Sequence, residues 1–480
     1  MATTTDTSHH QELAGPDAAA PGYYQAQPST EKAATGPGRG GSQPRPSSGE
    51  AAGGPASTTD HDAEHDAEKA GNDITDPDKP PEQEFPEGGA RAWATASGTA
   101  LIMFCTLGYV NSWGVYQAYY ETHQLSHRTA DEIAWIGSLQ GFFIFGVGLV
   151  GGPMFDRWGE KVIWPAAALY VLSLMMTSLC TEYWHFMLAQ GVLGGVSLGL
   201  TMCPSMAATP QYFNKKRGGA MGMVIAGSSI GGVVWPIALS KMLNNESLGF
   251  GWSIRIVGFI ILGLLAYSVV GIKARLPPRK SGFLLPGAFK EPVYCLCIAS
   301  IFFLFMGMFT PFFFLPSYAI TKGMDEVLAG YLLAILNGAS FPGRVLPGVL
   351  SDRFGRFNML LGSAIASAII TLCWTRCETN AGIIVFAAFF GFCSGAIVSG
   401  ASVSLASCPK DPKNIGTYMG MGLFVSSFAA LISPPINGSL LTHNGGFLGV
   451  SILSGVLLFV GGVLVVVAKA LSPGGVFGKI

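Results

Sequence analysis

The chain is expected to be an all-α integral membrane protein with twelve transmembrane helices in two pseudo-symmetric six-helix halves. Three observations predict this: an apolar, charge-poor composition, recurring apolar segments of membrane-spanning length, and one loop motif that occurs twice. Of the 480 residues, 49% are hydrophobic and 12% charged, against roughly 25% charge in soluble domains. Mean hydropathy is +0.42. The formal net charge of −1 is a cancellation. Residues 1–86 hold 15 acids and 5 bases, and the remainder holds 14 acids and 23 bases.

Residues 1–86 are rich in Gly, Pro, Ala, Ser, Thr and acids, with a short H-D-A-E repeat at His61–Glu68. They offer too little apolar surface to offset the entropy of ordering, so they read as a disordered acidic tail. No basic start is followed by an apolar core, which argues against a signal peptide. The H-D-A-E run reads as solvated tail rather than as a metal site.

From about residue 92 onward, apolar stretches recur at 94–118, 132–153, 162–180, 185–206, 218–240 and 253–272. Six more follow at 293–319, 327–348, 359–375, 382–405, 416–441 and 447–468. Each can cross a hydrocarbon core about 30 Å thick. The expected organisation is a tail (1–86), a first half (87–272), a connector (273–292), a second half (293–470) and a short end (471–480). Twelve spans put both termini on one side, and short-loop bases decide which side. An internal N-terminus leaves 16 Lys and Arg in internal segments, against Arg128, Lys241, Arg255, Lys322 and Arg376 outside. Both termini are therefore expected in the cytoplasm. The plasma membrane is the default location and the vacuolar membrane the alternative.

The repeated loop reads G-P-M-F-D-R-W-G-E-K at Gly152–Lys161 and G-V-L-S-D-R-F-G-R at Gly348–Arg356. Both fit Gly-x-x-x-Asp-Arg-x-Gly followed by a base, and each sits after the second span of its half. The pattern resembles the loop between the second and third helices of each half of major facilitator superfamily (MFS) transporters. The resemblance implies alternating access, with a substrate site between the halves. Asp156 and Asp352 are expected to face the N-terminal dipole of a neighbouring helix and a nearby Arg, forming a gate that holds the cytoplasmic side shut. Arg157, Arg353 and Arg356 supply the adjacent charge. Gly159 and Gly355 let the chain turn before the next helix. Small-residue pairs (Gly148/Gly152, Gly195/Gly199, Gly227/Gly231 and Gly391/Gly395) suit close helix approach in lipid, and several prolines interrupt the spans.

Two further stretches resemble the monocarboxylate-transporter (MCT) family, in its fungal branch. Before the first span stands E-G-G-A-R-A-W, with Glu87, Gly88, Gly89 and Trp93. Between spans 4 and 5 stands Y-F-N-K-K-R-G-G-A-M-G-M-V-I-A-G-S-S-I-G, with Tyr212, Phe213, Lys215, Arg217, Ala226 and Gly227. The proton-coupled members of that family carry a Lys in span 1 and an Asp one turn before an Arg in span 8. Here the corresponding positions read Asn111, Ser340 and Arg344, so one member of that relay remains. An Arg inside an apolar span costs roughly 2.5–3.5 kcal/mol on insertion scales, so it is expected to face an anion or a partner. Arg344, Asn111, Asn337 and Gln140 are the candidate substrate-binding residues. Asn337 lies two helical turns before Arg344, on a similar face.

The expected function is secondary active or facilitative transport of a small, anionic, monocarboxylate-like organic acid. An exporter of a larger secondary metabolite is the alternative on the same fold, and a non-transporting nutrient sensor is the rival from another class. No phosphate-binding G-x-x-x-x-G-K-[ST] run occurs, so ATP is not an expected partner, and no nucleic acid is expected either. No cofactor is expected; proton coupling stays open, as do uniport and exchange. No His cluster or Cys–His pair suggests an enzyme. The nine Cys read as small packing residues rather than zinc ligands. Asn245-Glu-Ser is a glycosylation sequon in an expected external loop, which would make the chain a glycoprotein.

Overall fold

The computed structural model describes residues 85–472 except 246, 281, 444 and 445, together with residue 475. The expected tail, up to residue 84, and most of the C-terminal end fall outside the described residues. Every regular element among the described residues is helical. Span 1 is broken into α1 (Ala90–Cys105), α2 (Leu107–Val110) and α3 (Trp113–Thr122). Span 2 comprises α4 (Ala130–Gly146) and α5 (Gly148–Trp158), and span 3 is α6 (Ile163–Thr177). Span 4 joins α7 (Tyr183–Phe186) to α8 (Gly195–Ala208) through a π-helical stretch, Met187–Gly194. Spans 5 and 6 are α9 (Arg217–Leu243) and α10 (Gly249–Gly271). Spans 7 to 9 are α11 (Pro292–Thr321), α12 (Glu326–Phe354) and α13 (Arg356–Leu372). Spans 10 to 12 are α14 (Asn380–Ser407), α15 (Ile415–His443) and α16 (Gly446–Ala470).

Nine stretches among the described residues are long and apolar enough to cross a membrane by length and composition alone. The twelve expected spans map onto them with three adjustments. Spans 2 and 3 run together as Glu132–Thr177, because only a short 3-10 turn at Gly159–Val162 separates their helices. Span 9 is a 17-residue helix, shorter than the rest. Span 8 is diluted by Asn337, Ser340, Arg344 and its prolines and glycines, which is the composition of a helix buried in protein rather than facing lipid all round.

The halves meet along two seams, spans 2 and 11 on one side and spans 5 and 8 on the other, and glycine makes both contacts. On the first seam a methyl group at Gly152 would overlap the Gly416 carbonyl, and one at Gly420 would overlap that of Gly148. On the second, a methyl at Gly222 would lie 2.5 Å from the Arg344 carbonyl oxygen, and one at Gly348 would lie 2.7 Å from that of Gly218. Helices bring their backbones this close only where side chains are absent. The other expected pairs act within a half: Gly195/Gly199 against α4, Gly227/Gly231 against α1, and Gly391/Gly395 against α12.

Each half also buries an aromatic core toward the ends of its spans that lie away from the repeated loops. In the first half the Tyr109 and Tyr116 hydroxyls are 2.5 Å apart, and the Tyr120 hydroxyl donates to Gln190 at 2.7 Å. In the second half Trp374 stacks on Phe386, with Tyr318 and Phe447 against its edge.

Replacing Gly222 by Ala is expected to destabilise the chain by about 1–3 kcal/mol through overpacking. A methyl group at Gly263, in span 6, would meet nothing within 4 Å, so Gly263→Ala should leave stability unchanged or raise it. Thermal unfolding midpoints of the two variants in detergent check this, and equal midpoints would contradict the seam.

Candidate substrate pathway and gate

Each repeated loop places its Asp at the start of a helix in the other half. The Asp156 carboxylate, buried at the end of α5, accepts from the Gly416 and Thr417 backbone N–H groups at 3.0 and 2.7 Å and from the Thr417 hydroxyl at 2.7 Å. The Asp352 carboxylate, near the end of α12, accepts from the Gly218 and Gly219 N–H groups at 2.7 and 2.8 Å. The first N–H groups of a helix lack intrahelical partners and carry the positive end of its dipole, so a carboxylate there satisfies both needs. Gly159 and Gly355 end α5 and α12 with φ of +64° and +96°. These are the left-handed values that the turn after each Asp was expected to need.

The arginines divide differently from the sequence expectation. Arg157 is exposed, with its guanidinium 5.8 Å from the centroid of its neighbour Trp158, and Arg353 is exposed as well. The base that reaches the Asp156 loop is Arg279 of the connector. Its N–H donates to the Asp156 carbonyl at 2.8 Å, and its buried guanidinium donates to Asn414 Oδ1, Gly282 O and Phe283 O. Sequence reading counted Arg279 only as a topology-setting charge. On the other seam Arg356 donates to Ser407 Oγ at 2.8 Å and crosses to the Asn214 carbonyl at 2.7 Å. Arg217 is buried and crosses to the Ala406 carbonyl at 3.0 Å.

The two remaining motif stretches meet each other. Glu87, itself in the left-handed region at φ +52°, accepts from the N–H groups of Asn214, Lys215 and Lys216 at 2.8, 2.7 and 3.0 Å. Trp93 packs on Phe213 with ring centroids 5.3 Å apart, and the buried Tyr212 donates to the Lys273 carbonyl. Gly89 takes φ +90°, Ala226 is buried, and Gly227 lies against the Ala100 backbone. Phe85, counted with the tail, lies 5.2 Å under the Arg275 guanidinium and 5.8 Å under that of Arg217. Glu87 and Asp352 thus divide five N–H groups at the start of span 5 between the two halves.

At the other end of the molecule spans 1, 5, 7 and 8 enclose a cavity of about 700 Å³. Asn111 lines it, at the break between α2 and α3, and donates to Asn337 Oδ1 across the halves at 3.2 Å. The pair fits because a side chain at Gly232 would occupy the space between them. Arg344 does not line this cavity. It is buried, donates to the Ile225 carbonyl at 2.9 Å and to the Ser228 hydroxyl, and its Nε has no hydrogen-bond partner among the described residues. Ser340, at the relay's missing acid, is buried against Gly395. Gln140 is buried between spans 2 and 4, beside Gly194, away from the cavity. The structure therefore joins Asn111 to Asn337 and leaves Arg344 and Gln140 elsewhere. From span 7, Pro316 reaches the cavity. Asn245 is exposed and accepts from Ser247.

Burial raises the pKa of Glu87, but its three backbone donors and the Lys215 charge outweigh that and hold it below the usual carboxylate value. Its contribution to stability is then complete above the unfolded value of 4.5 and is lost as pH falls through the lower folded value. Glu87→Gln is expected to unfold at lower temperature than the unaltered chain at pH 7. The gap should narrow as pH drops below about 4.5, the ordinary glutamate value. Paired melting curves from pH 7 to pH 3.5 read the effect, and a gap that ignores pH would contradict it.

Comparison with known proteins agrees with this geometry. The model of the Major Facilitator Superfamily matches residues 99–377 and 345–475. The chain is 56% identical to the aspyridones efflux protein apdF of Emericella nidulans, over 84% of this chain and 82% of that protein. It is 38% identical to the agnestins efflux protein AgnL12 of Paecilomyces divaricatus, over 82% and 89% respectively. The human organic anion transporter MFSD10 (TETRAN) shares the fold, with a TM-score of 0.63 at 14% identity over 79% of this chain and all of that one. The Escherichia coli fucose:proton symporter FucP does so at 0.63 and 13%, over 79% and 99%. The chain is a multi-pass membrane transporter and belongs to the Major Facilitator Superfamily.

Proposed function

We propose that this chain exports an amphipathic secondary metabolite by alternating access. The cavity carries the proposal. At about 700 Å³ it is of a size that encloses drug-like molecules, far more than a three-carbon acid needs. Its walls mix Val115, Leu333 and Pro236 with Tyr119, Asn111 and Asn244, which suits a large apolar body with a few polar groups. The names of the relatives favour the same direction, since apdF and AgnL12 are efflux proteins of aspyridones and agnestins.

The monocarboxylate reading loses support on three counts. Asn111 and Ser340 stand where a Lys and an Asp would carry the proton. Arg344 is already hydrogen-bonded to span 5. Among the described residues the acidic side chains lie near the ends of the spans, so no carboxylate is available at mid-span for proton coupling. Flux is accordingly proposed to follow the substrate's own gradient.

In the proposed cycle the chain lies in the plasma membrane with the repeated loops and both termini facing the cytoplasm, which the distribution of Lys and Arg favours. The two Asp contacts shut the cytoplasmic end while the cavity faces outward. Asn111 lines the cavity and holds the buried Asn337 behind it, and their mutual hydrogen bond must yield when substrate passes from the inward-open state.

Proteoliposomes holding the full chain test this with aspyridones and agnestins against lactate and pyruvate, each with and without a proton gradient. Flux of a metabolite, unaffected by the gradient and reduced at least tenfold in Asn337→Leu, is the expected result. Flux of lactate or pyruvate alone would overturn the proposal. Binding without net flux would favour the sensor.

A further inference from the structure

The seam between spans 5 and 8 has unlike ends. From Gly218 to Gly232 the two helices are in contact, down to backbone against backbone at Gly222 and Gly348. Past Gly232, where Asn337 fills the gap, they part, and the cavity begins. Pro236 lies at the parting on α9.

The helix faces tell where the cavity leads. On α9 the exposed side chains Met223, Ile230, Val234, Ile237 and Lys241 fall within an arc of about 60°, taking 3.6 residues per turn. On α12 the exposed Val327, Tyr331, Gly338 and Phe341 fall within an arc of about 80° on the same basis. In the closed part of the seam, the apolar Met223, Ile230 and Phe341 are exposed beside the helix contact, the surface that a membrane-spanning chain turns to lipid. Ile237, Lys241, Val327 and Tyr331 continue those same faces, yet they line the cavity. A cavity wall that is continuous with the lipid-facing surface of both helices is open toward lipid.

The cavity does not reach the opposite seam. Spans 2 and 11 stay in contact from Gly152 and Gly416 up to Phe142 and Phe428, whose rings meet edge-on at 5.5 Å. Every residue lining the cavity comes from spans 1, 5, 7 and 8.

We infer that the outer part of the seam between spans 5 and 8 is a lateral portal, through which an amphipathic ligand exchanges between the cavity and the outer leaflet. The apolar body lies between Ile237 and Tyr331. The polar head stays at the rim, where His123, Lys241, Asn244 and Glu326 sit and where tyrosines and lysines favour the membrane interface. The inference rests on the export reading for its ligand but not for its geometry.

A quenching experiment separates the two. The full chain carries a fluorophore on Gly330→Cys, a position where added atoms meet nothing within 4 Å. The signal of the same labelled chain lacking that cysteine is subtracted. The protein is reconstituted in bilayers containing phosphatidylcholine brominated near the headgroup, and iodide is added in parallel. Tyr331→Cys serves as the second position if the first variant does not fold. At least a twofold loss of emission in brominated lipid, with or without quenching by iodide, is expected. Quenching by iodide alone would make the cavity an aqueous vestibule and overturn the portal, as would quenching by neither agent. No transported compound enters this measurement, so failure of the export reading in the flux panel leaves the portal result interpretable on its own.

Discussion

The start of a helix presents backbone N–H groups that its own turns cannot satisfy, and at the edge of a membrane water meets that need only in part. Here the starts of spans 5 and 11 are satisfied by Asp352 and Asp156, each on a helix of the opposite half. The magnitudes suit a moving part. Hydrogen bonds to a charged group contribute about 1.5–3 kcal/mol each when both partners are buried, and less where water reaches Asp352. Driving a two-state equilibrium from one side fully to the other takes about 5.5 kcal/mol. The three bonds to Asp156 are of that order, and the two to Asp352 add to them. In the proposed cycle the pair can therefore hold one end shut and still be broken by the binding energy of a substrate.

The glycine contacts make those hydrogen bonds reachable. Gly152 against Gly416 and Gly222 against the Arg344 carbonyl bring the seams to backbone distance, and each carboxylate then meets the helix start one to two turns away. Contacts of this kind have no side chains to interdigitate, so the halves can separate without repacking a core. What stays together on separation is also built in. Glu87 belongs to the first half and caps the loop before span 5, so in the proposed cycle that loop would keep its shape when Asp352 leaves.

Much of this was legible in the sequence because it rests on periodicity and repetition. Twelve spans, two halves and the turn-forming Gly159 and Gly355 follow from apolar length and from one motif found twice. The carboxylate gate was legible as a local possibility of the motif, and its partners were not, since nothing in D-R-x-G says which helix start will face it. Arg279 was hidden for the same reason: a buried connector base reads like any other loop charge. The substrate candidates fared unevenly. Asn111 and Asn337 are polar interruptions of apolar helices, and they meet across the halves. Arg344 is an equally strong sequence signal, yet a backbone carbonyl and a serine hydroxyl of span 5 occupy it. Burial of an arginine in a span requires a partner and does not say whether that partner is ligand or protein.

The most direct test of the account is the distance between the halves at the end where the repeated loops lie. Spin labels carried on non-natural residues at positions 161 and 410, both exposed and in opposite halves, report it by double electron–electron resonance in lipid bilayers. The unaltered chain should show one short, narrow distribution. The Asp156→Asn, Asp352→Asn double variant should raise a longer-distance population at least tenfold, the ratio that about 1.4 kcal/mol sets. An unchanged distribution in a folded double variant would contradict the claim that the two carboxylates hold the halves together.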